Sequence, residues 1–108
     1  MAQRYSADNV RRITVQYATL LRDHIKLDKV ILYGSFVKGH PHVDSDIDVA
    51  VVSPDFTGDR LEDQLLLMRF RRQIDLRIEP IPFLPQDFIA TDPLVREIMD
   101  TGHVIYSG

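Results

Sequence analysis

Three segments of the chain repeat apolar residues at helical spacing. The first segment places Val10, Ile13, Tyr17, Leu20 and Leu21 on one side, with charged residues between them. This pattern predicts an amphipathic helix. The same reasoning predicts helices over residues 8–24, 60–72 and 93–101, the last capped by Asp92 with a proline at its first position. A short additional helix is expected at residues 36–38, and a helical turn at residues 86–90.

Four shorter segments have the composition of strands. Two β-branched runs, 30–33 and 47–52, suit buried strands, and residues 103–106 suit a short edge strand. Residues 74–79 alternate apolar and charged side chains, which predicts a strand with one polar face. The proline-rich segment 80–85 is expected to be extended and to end that strand.

These elements predict a mixed α/β (α+β) fold: a small twisted sheet of three or four strands, with helices packed mainly on one face. The chain has 108 residues, of which 44% are hydrophobic, so one modest core and a single domain spanning residues 1–108 are expected. That length leaves no room for a separate domain that binds a second substrate. A second substrate is therefore expected to come from another molecule.

Charge and cysteine content narrow the possible functions. The formal net charge is −3, whereas a general nucleic-acid binder is usually basic, so no direct nucleic-acid partner is expected. The chain has no cysteine, so it has neither a disulfide framework nor a thiolate metal site. No apolar run approaches the length of a membrane span, and the first ten residues do not resemble a signal peptide. A cytoplasmic location is the expectation.

The candidate chemistry lies between the first two predicted strands. Gly34 and Ser35 directly follow the first strand, where a glycine lets the backbone approach a ligand and a helix start would bind an anion. Asp46 and Asp48 enter the second strand one residue apart, so they share a face. Two carboxylates this close repel each other unless a cation such as Mg²⁺, which prefers oxygen ligands, neutralises them. A phosphate site next to a metal site is therefore expected.

The stretch resembles the signature G-S-x10-D-x-D of minimal nucleotidyltransferases, in the superfamily that includes DNA polymerase β. Here the signature reads Gly34, Ser35, ten residues, Asp46, Ile47 and Asp48. The resemblance implies a polymerase β palm-like fold and transfer of a nucleoside monophosphate from ATP or another nucleoside triphosphate, with two Mg²⁺ ions. Asp46 and Asp48 would bind the ions, and Gly34 and Ser35 the phosphates.

The resemblance also implies a third catalytic and metal-binding carboxylate, on the strand that follows the second long helix. Asp75 is the matching residue, and Glu79 is a second possibility on the same face of that predicted strand. The simpler alternative is that Asp75 forms an ion pair with Arg77 on a solvated surface.

Minimal members of the superfamily often act as antitoxins to HEPN-domain toxins, and some attach AMP to a tyrosine of the toxin. The resemblance therefore implies a HEPN-type protein partner in a hetero-oligomer. Other interpretations stay open: a small-molecule nucleotidyltransferase like the aminoglycoside-modifying enzymes, a non-catalytic antitoxin that acts sterically, or an unrelated α/β domain. The apolar cluster of residues 65–68 and Phe70 exceeds what one helix face needs, so part of it could meet a partner.

Overall fold

The computed structural model describes residues 7–34 and 46–108, which form three α-helices and four strands. Ser35 and the short helix expected at residues 36–38 lie outside these ranges. In chain order the elements are α1 (Ala7–Arg22), β1 (Lys29–Tyr33), β2 (Ile47–Val52), α2 (Arg60–Arg71), β3 (Ile78–Phe83), α3 (Pro93–Thr101) and β4 (His103–Ser107). A 3₁₀ turn, Pro85–Asp87, takes the place of the helical turn expected at 86–90. No helix in the described ranges is long and apolar enough to cross a membrane.

The sheet is mixed, and its strand order is β3-β2-β1-β4. Strand β1 runs antiparallel to both β2 and β4, whereas β2 runs parallel to β3. A parallel pair needs a crossover, and α2 provides it between β2 and β3. This arrangement confirms the predicted mixed α/β sheet and the edge position of the last strand.

The two faces of the sheet pack against different helices because side chains alternate along each strand. Helices α1 and α2 cover one face, where the core contains buried residues Val10, Tyr17, Leu21, Leu67, Val30, Leu32, Val49, Val51 and Ile78. Helix α3 covers part of the other face, where Val95 and Ile98 pack against Ile31, Ala50, Val52 and Phe83. Among the described residues one short helix covers the second face, and it packs toward the end of the sheet that carries Val52 and Phe83.

The position of β3 corrects the sequence-based prediction. The strand occupies residues 78–83 and contains Pro80 and Pro82, whereas residues 74–79 were expected to form it and the prolines to end it. The backbone N–H groups at the two ends of β2 donate hydrogen bonds to the carbonyl oxygens of Arg77 and Phe83. The odd-numbered residues of this segment therefore point their backbone N–H and C=O groups toward β2. Both prolines are even-numbered and face the open edge, where a missing N–H breaks no ladder bond.

Helix α2 satisfies the carbonyls on that open edge. Gln64 Nε2 donates to the Pro80 carbonyl, and Arg71 Nη1 donates to the Ile78 carbonyl over 2.8 Å. Side chains of α2 thus bind the carbonyl oxygens that a further strand would otherwise bind. These two carbonyls are then not available for pairing with a strand of another chain. The edge strand is held in place by the crossover helix that precedes it.

Candidate active site

Three polar side chains meet where β1 ends and β2 and β3 begin. In the strand register Asp48 of β2 lies beside Tyr33 of β1 on one side and beside Glu79 of β3 on the other. Laterally paired residues point to the same face of a sheet, and this face is the one that α3 covers only in part. Asp46 is exposed and lies one residue before β2. The fold thus gathers side chains that are separated by up to 46 residues in the sequence.

Gly34 forms the close turn that follows β1. Its φ angle is +87°, a conformation that L side chains rarely adopt, and a Cβ atom placed there would overlap Asp48 Oδ2. Any other residue would therefore strain the backbone and displace the carboxylate. From the sequence, this glycine is expected to let a ligand approach the backbone closely. In the structure it is the Asp48 side chain that approaches the backbone and requires a glycine. Its part in binding a phosphate stays a prediction, as does that of Ser35.

The surroundings of Asp48 disfavour its charge. Its pKa is raised from 3.8 to about 6. Burial is the largest cause, and the negative charges of Asp46 and Glu79 contribute the rest. Within the described residues no hydrogen bond reaches the Asp48 carboxylate. A half-buried acid among other acids gains free energy from a bound cation, since the cation offsets both the burial and the repulsion. The electrostatics fit the pair of metal-binding aspartates expected from the sequence.

Tyr33 is a member of this group that the sequence analysis did not single out. Its pKa is raised to about 12 by burial first and then by the charges of Asp48 and Glu97, so its hydroxyl stays protonated at neutral pH. The sequence offered one sign of this, because Tyr33 is the last residue of the predicted first strand and directly precedes Gly34. The structure pairs it with Asp48. A neutral hydroxyl beside the carboxylates can donate a hydrogen bond where further negative charge would add repulsion.

The structure places Asp75 in the turn before β3 and not on the strand. Its carboxylate forms a two-point ion pair with Arg77: Nη2 to Oδ2 over 2.6 Å and Nε to Oδ1 over 2.9 Å. The Arg77 side-chain hydrogen bonds hold the pKa of Asp75 below its usual value. The charge of Asp75 is thus already compensated, and Asp75 is not among the residues whose charges act on Asp48.

Glu79 is better placed for the role that the sequence analysis gave first to Asp75. It is the register neighbour of Asp48, its side chain is 45% exposed, and its charge contributes to the raised pKa of Asp48. Its one ion pair within the described residues is with Arg71 Nη1, at 3.4 Å from Oε2. Because that contact is long and partly exposed, most of the carboxylate remains available to a ligand.

The donor set fits a hard divalent ion in its chemistry. Asp46, Asp48 and Glu79 offer only oxygen atoms, and their mutual repulsion needs a cation. As arranged, no three acidic or histidine side chains in residues 7–34 and 46–108 are close enough to enclose one ion. Mg²⁺ often binds through only one or two carboxylates and completes its shell with substrate phosphates and water, so the aspartate pair is sufficient as a protein contribution.

A separate groove of about 530 Å³ lies at the opposite end of β3. It is lined mainly by the segments that follow β3 and by the start of α2, including Arg60, Phe83, Leu84, Ile89 and Asp92. Asp46, Asp48, Asp75 and Glu79 do not line it. Since the groove is far along the strand from Asp48 and Glu79, it is not part of the candidate active site.

Comparison with known families gives one match. The family model described as polymerase beta nucleotidyltransferase matches residues 16–108, which is most of the chain. The matched range includes Gly34, Asp46, Asp48 and Glu79. No curated protein matches the chain at a significant level.

Several of the solved structures to which the chain is similar are toxin–antitoxin complexes. A toxin–antitoxin complex with AMP-PNP is similar with a TM-score of 0.59 and 26% identity, over 87% of this chain and 73% of that one. An MntA–HpeT complex, in which two aspartates one residue apart are replaced by glutamate, has a TM-score of 0.57 and 24% identity over 86% and 72%. The Shewanella oneidensis MNT antitoxin complex with a tri-AMPylated HEPN toxin has a TM-score of 0.57 and 22% identity over 92% and 73%.

Proposed function

Because the chain belongs to the polymerase β nucleotidyltransferase family, we propose that it transfers AMP from ATP to a hydroxyl of a HEPN-type partner and so acts as its antitoxin. The observation that carries this proposal is the position of Asp48. It is half-buried between Tyr33 and Glu79, next to Asp46, with a raised pKa and no hydrogen bond from the described residues. Such an arrangement costs stability unless it binds a cation and a phosphate ligand.

The roles of the residues follow from their positions. Asp46 and Asp48 would hold two Mg²⁺ ions, which supply charge neutralisation of the phosphates when bound. The Gly34 turn, continued by Ser35, would hold the distal phosphates, since its backbone lies against Asp48. Each group is needed for positioning and electrostatics, which is the main contribution that a protein makes to phosphoryl-type transfer.

The transfer itself is a substitution at the α-phosphorus of ATP. The acceptor oxygen bonds to that phosphorus as the bond to the bridging oxygen breaks, and pyrophosphate leaves with the electron pair. The acceptor proton would pass to the third carboxylate. We assign that carboxylate to Glu79, the alternative of the two predicted acids, because Glu79 lies beside Asp48 while Asp75 is held by Arg77. An acid in a strong ion pair is a poor proton acceptor.

The protein acceptor and the antitoxin role rest on the solved neighbours. One neighbour is an MNT antitoxin in complex with a tri-AMPylated HEPN toxin, a second is an MntA–HpeT toxin–antitoxin complex, and a third is a toxin–antitoxin complex with AMP-PNP. ATP is abundant in the cytoplasm, and a chain without cysteine suits that reducing compartment. The cytoplasm is therefore the proposed location.

The test is a transfer assay with ATP labelled at the α-phosphate. The purified chain and Mg²⁺ are mixed with the product of the adjacent gene and, separately, with a cell extract and with aminoglycosides. The matched control is Asp46→Asn/Asp48→Asn, whose side chains keep their size but lose their charge. Label on the partner protein, lost with the control, is the expected result.

Two other outcomes would overturn the proposal. Label on a small molecule alone would assign the chain to the aminoglycoside-type enzymes. Inhibition of the toxin by the Asp46→Asn/Asp48→Asn variant as strongly as by the unchanged chain would show a steric antitoxin.

A further inference from the structure

The outer side of α2 carries an apolar stripe that the fold leaves in solvent. Leu61 is 69% exposed and Leu65 is 54% exposed, and they lie one helical turn apart. Met68, partly exposed, continues the same side by a further turn. On the opposite side of the helix, Leu67 is buried in the core. Of the apolar cluster that the sequence analysis singled out, only one part is therefore used by the fold.

Basic residues lie at one end of this stripe. Arg69 and Arg72 are exposed, lie on the same side of the helix as Leu65, and form no ion pair with another described residue. The whole chain has a net charge of −3, so this side of α2 differs in sign from the average surface. A complementary surface would be apolar opposite the leucines and acidic opposite the two arginines.

The basic end of the stripe is close to the candidate active site. Arg71, between Arg69 and Arg72 in sequence, reaches the Glu79 carboxylate at 3.4 Å and the Ile78 carbonyl at 2.8 Å. One side chain thus spans the distance from the end of α2 to the acidic end of the sheet. The C-terminal turn of α2 therefore links the basic end of the stripe to the strand that carries Glu79.

We propose that the outer face of α2, formed by Leu61, Leu65, Met68, Arg69 and Arg72, is the docking surface for the protein acceptor. The occupant is the HEPN-type partner, which meets the leucines with apolar side chains and the arginines with carboxylates. This inference rests on the proposed function, since it assumes that the acceptor is that protein. Docking on α2 leaves the face of the sheet that carries Asp48 free for ATP, because α2 packs on the opposite face.

Calorimetry measures how tightly the product of the adjacent gene, as the candidate partner, binds to the unchanged chain and to its variants. Leu61→Glu/Leu65→Glu is expected to weaken binding by about 100-fold, since it places charge at the centre of an apolar contact. Arg69→Glu/Arg72→Glu is expected to weaken binding by about tenfold and to reduce its dependence on salt. Val15→Glu is the matched control, because Val15 is also a large exposed apolar residue (45%) but lies on α1.

Each variant is also tested for thermal stability and for Mg²⁺-dependent ATP binding, both expected to stay at the values of the unchanged chain. The proposal would be overturned if Leu61→Glu/Leu65→Glu bound the partner as tightly as the Val15→Glu control does. It would also be overturned by a dimer of the unchanged chain that dissociates in the leucine variant, since the occupant would then be a second copy.

The outcome is separable from that of the proposed function. Asp46→Asn/Asp48→Asn should bind the partner normally and fail to label it, whereas the leucine variant should bind ATP and fail to bind the partner. Loss of partner binding in the leucine variant, with no labelling by any form of the chain, would support the docking surface and refute the proposed transfer.

Discussion

Asp63 and Asp48 are both withdrawn from water, and their surroundings are opposite. Asp63, in the first turn of α2, is buried and accepts hydrogen bonds from Thr57 N, Thr57 Oγ1 and Gly58 N over 2.9–3.0 Å. Asp48, at the start of β2, is half-buried, lies near the charges of Asp46 and Glu79 and makes no hydrogen bond with a described residue. The carboxylate of Asp63 thus closes a loop, whereas the charge of Asp48 is not compensated by the described residues.

The two carboxylates differ in whether the described residues compensate their charge. A buried carboxylate whose oxygens are satisfied within the chain stabilises the native state, because its charge is met by fixed donors. A carboxylate held near like charges lowers stability unless something external neutralises it. Asp75 belongs with Asp63 in this respect, since Arg77 satisfies it. Glu79 lies between the two cases, because Arg71 contacts one of its oxygens at 3.4 Å while its charge also acts on Asp48.

The largest expected effect separates Glu79 from Asp75. Glu79→Gln should lower AMP transfer by about 100-fold or more, the size typical for loss of a proton-accepting group. Asp75→Asn should stay within about threefold of the unchanged chain, because Asp75 acts on Arg77 and not on the reacting atoms. Single-turnover labelling of the partner measures both. The reverse ranking would return the role of third acid to Asp75.

The next effect is on stability and concerns Asp63. Asp63→Ala should lower the free energy of unfolding by about 2–4 kcal/mol, because it leaves buried donors of Thr57 and Gly58 without an acceptor. Urea unfolding measures the change. Asp48→Ala is the comparison variant and should cost much less, since Asp48 makes no hydrogen bond with a described residue. Equal losses for the two variants would remove the distinction between the two acids.

The smallest effect is the pH dependence that Asp48 confers. Its folded-state pKa is raised from 3.8 to about 6, so between these values the folded chain keeps a proton that the unfolded chain has lost. Stability conferred by the protonated carboxyl is therefore present below about pH 4 and is lost as the pH rises through 6. Because the group is half exposed, the loss is about 1 kcal/mol after allowance for solvent screening.

Urea unfolding at pH 4.0 and 7.5 measures this loss, with Asp48→Asn as the control that should lack it. Added Mg²⁺ and a non-hydrolysable ATP analogue should restore stability at pH 7.5 in the unchanged chain. If Asp48→Asn lost as much stability between the two pH values as the unchanged chain, the pH dependence would belong to another group.

Much of the fold was predictable because its signals are local. Residues 47–52 and 93–101 were predicted with the bounds that the structure shows, since a β-branched run and a capped helix with proline at its first position depend only on neighbouring residues. Gly34 and the aspartate pair were likewise found from spacing alone. The family match to residues 16–108 agrees with the signature.

The position of Glu79 beside Asp48 was not predictable in the same way. The alternation of residues 74–79 favours a strand over that segment, and the prolines at 80 and 82 argue against the strand that the structure has at 78–83. Those prolines are tolerated because β3 is an edge strand and both face its open side. Edge position and strand direction depend on how β3 pairs with β2, which no local pattern contains.

The helices, the two central strands and the Gly-Ser and Asp-x-Asp segments follow from the local sequence, because backbone preference and side-chain periodicity act over a few residues. Which acid lies beside Asp48 follows instead from the pairing of the strands, since the register pairs Asp48 with Glu79 and leaves Asp75 to Arg77. The packing of α2 on the sheet likewise sets which of its leucines enter the core and which stay in solvent.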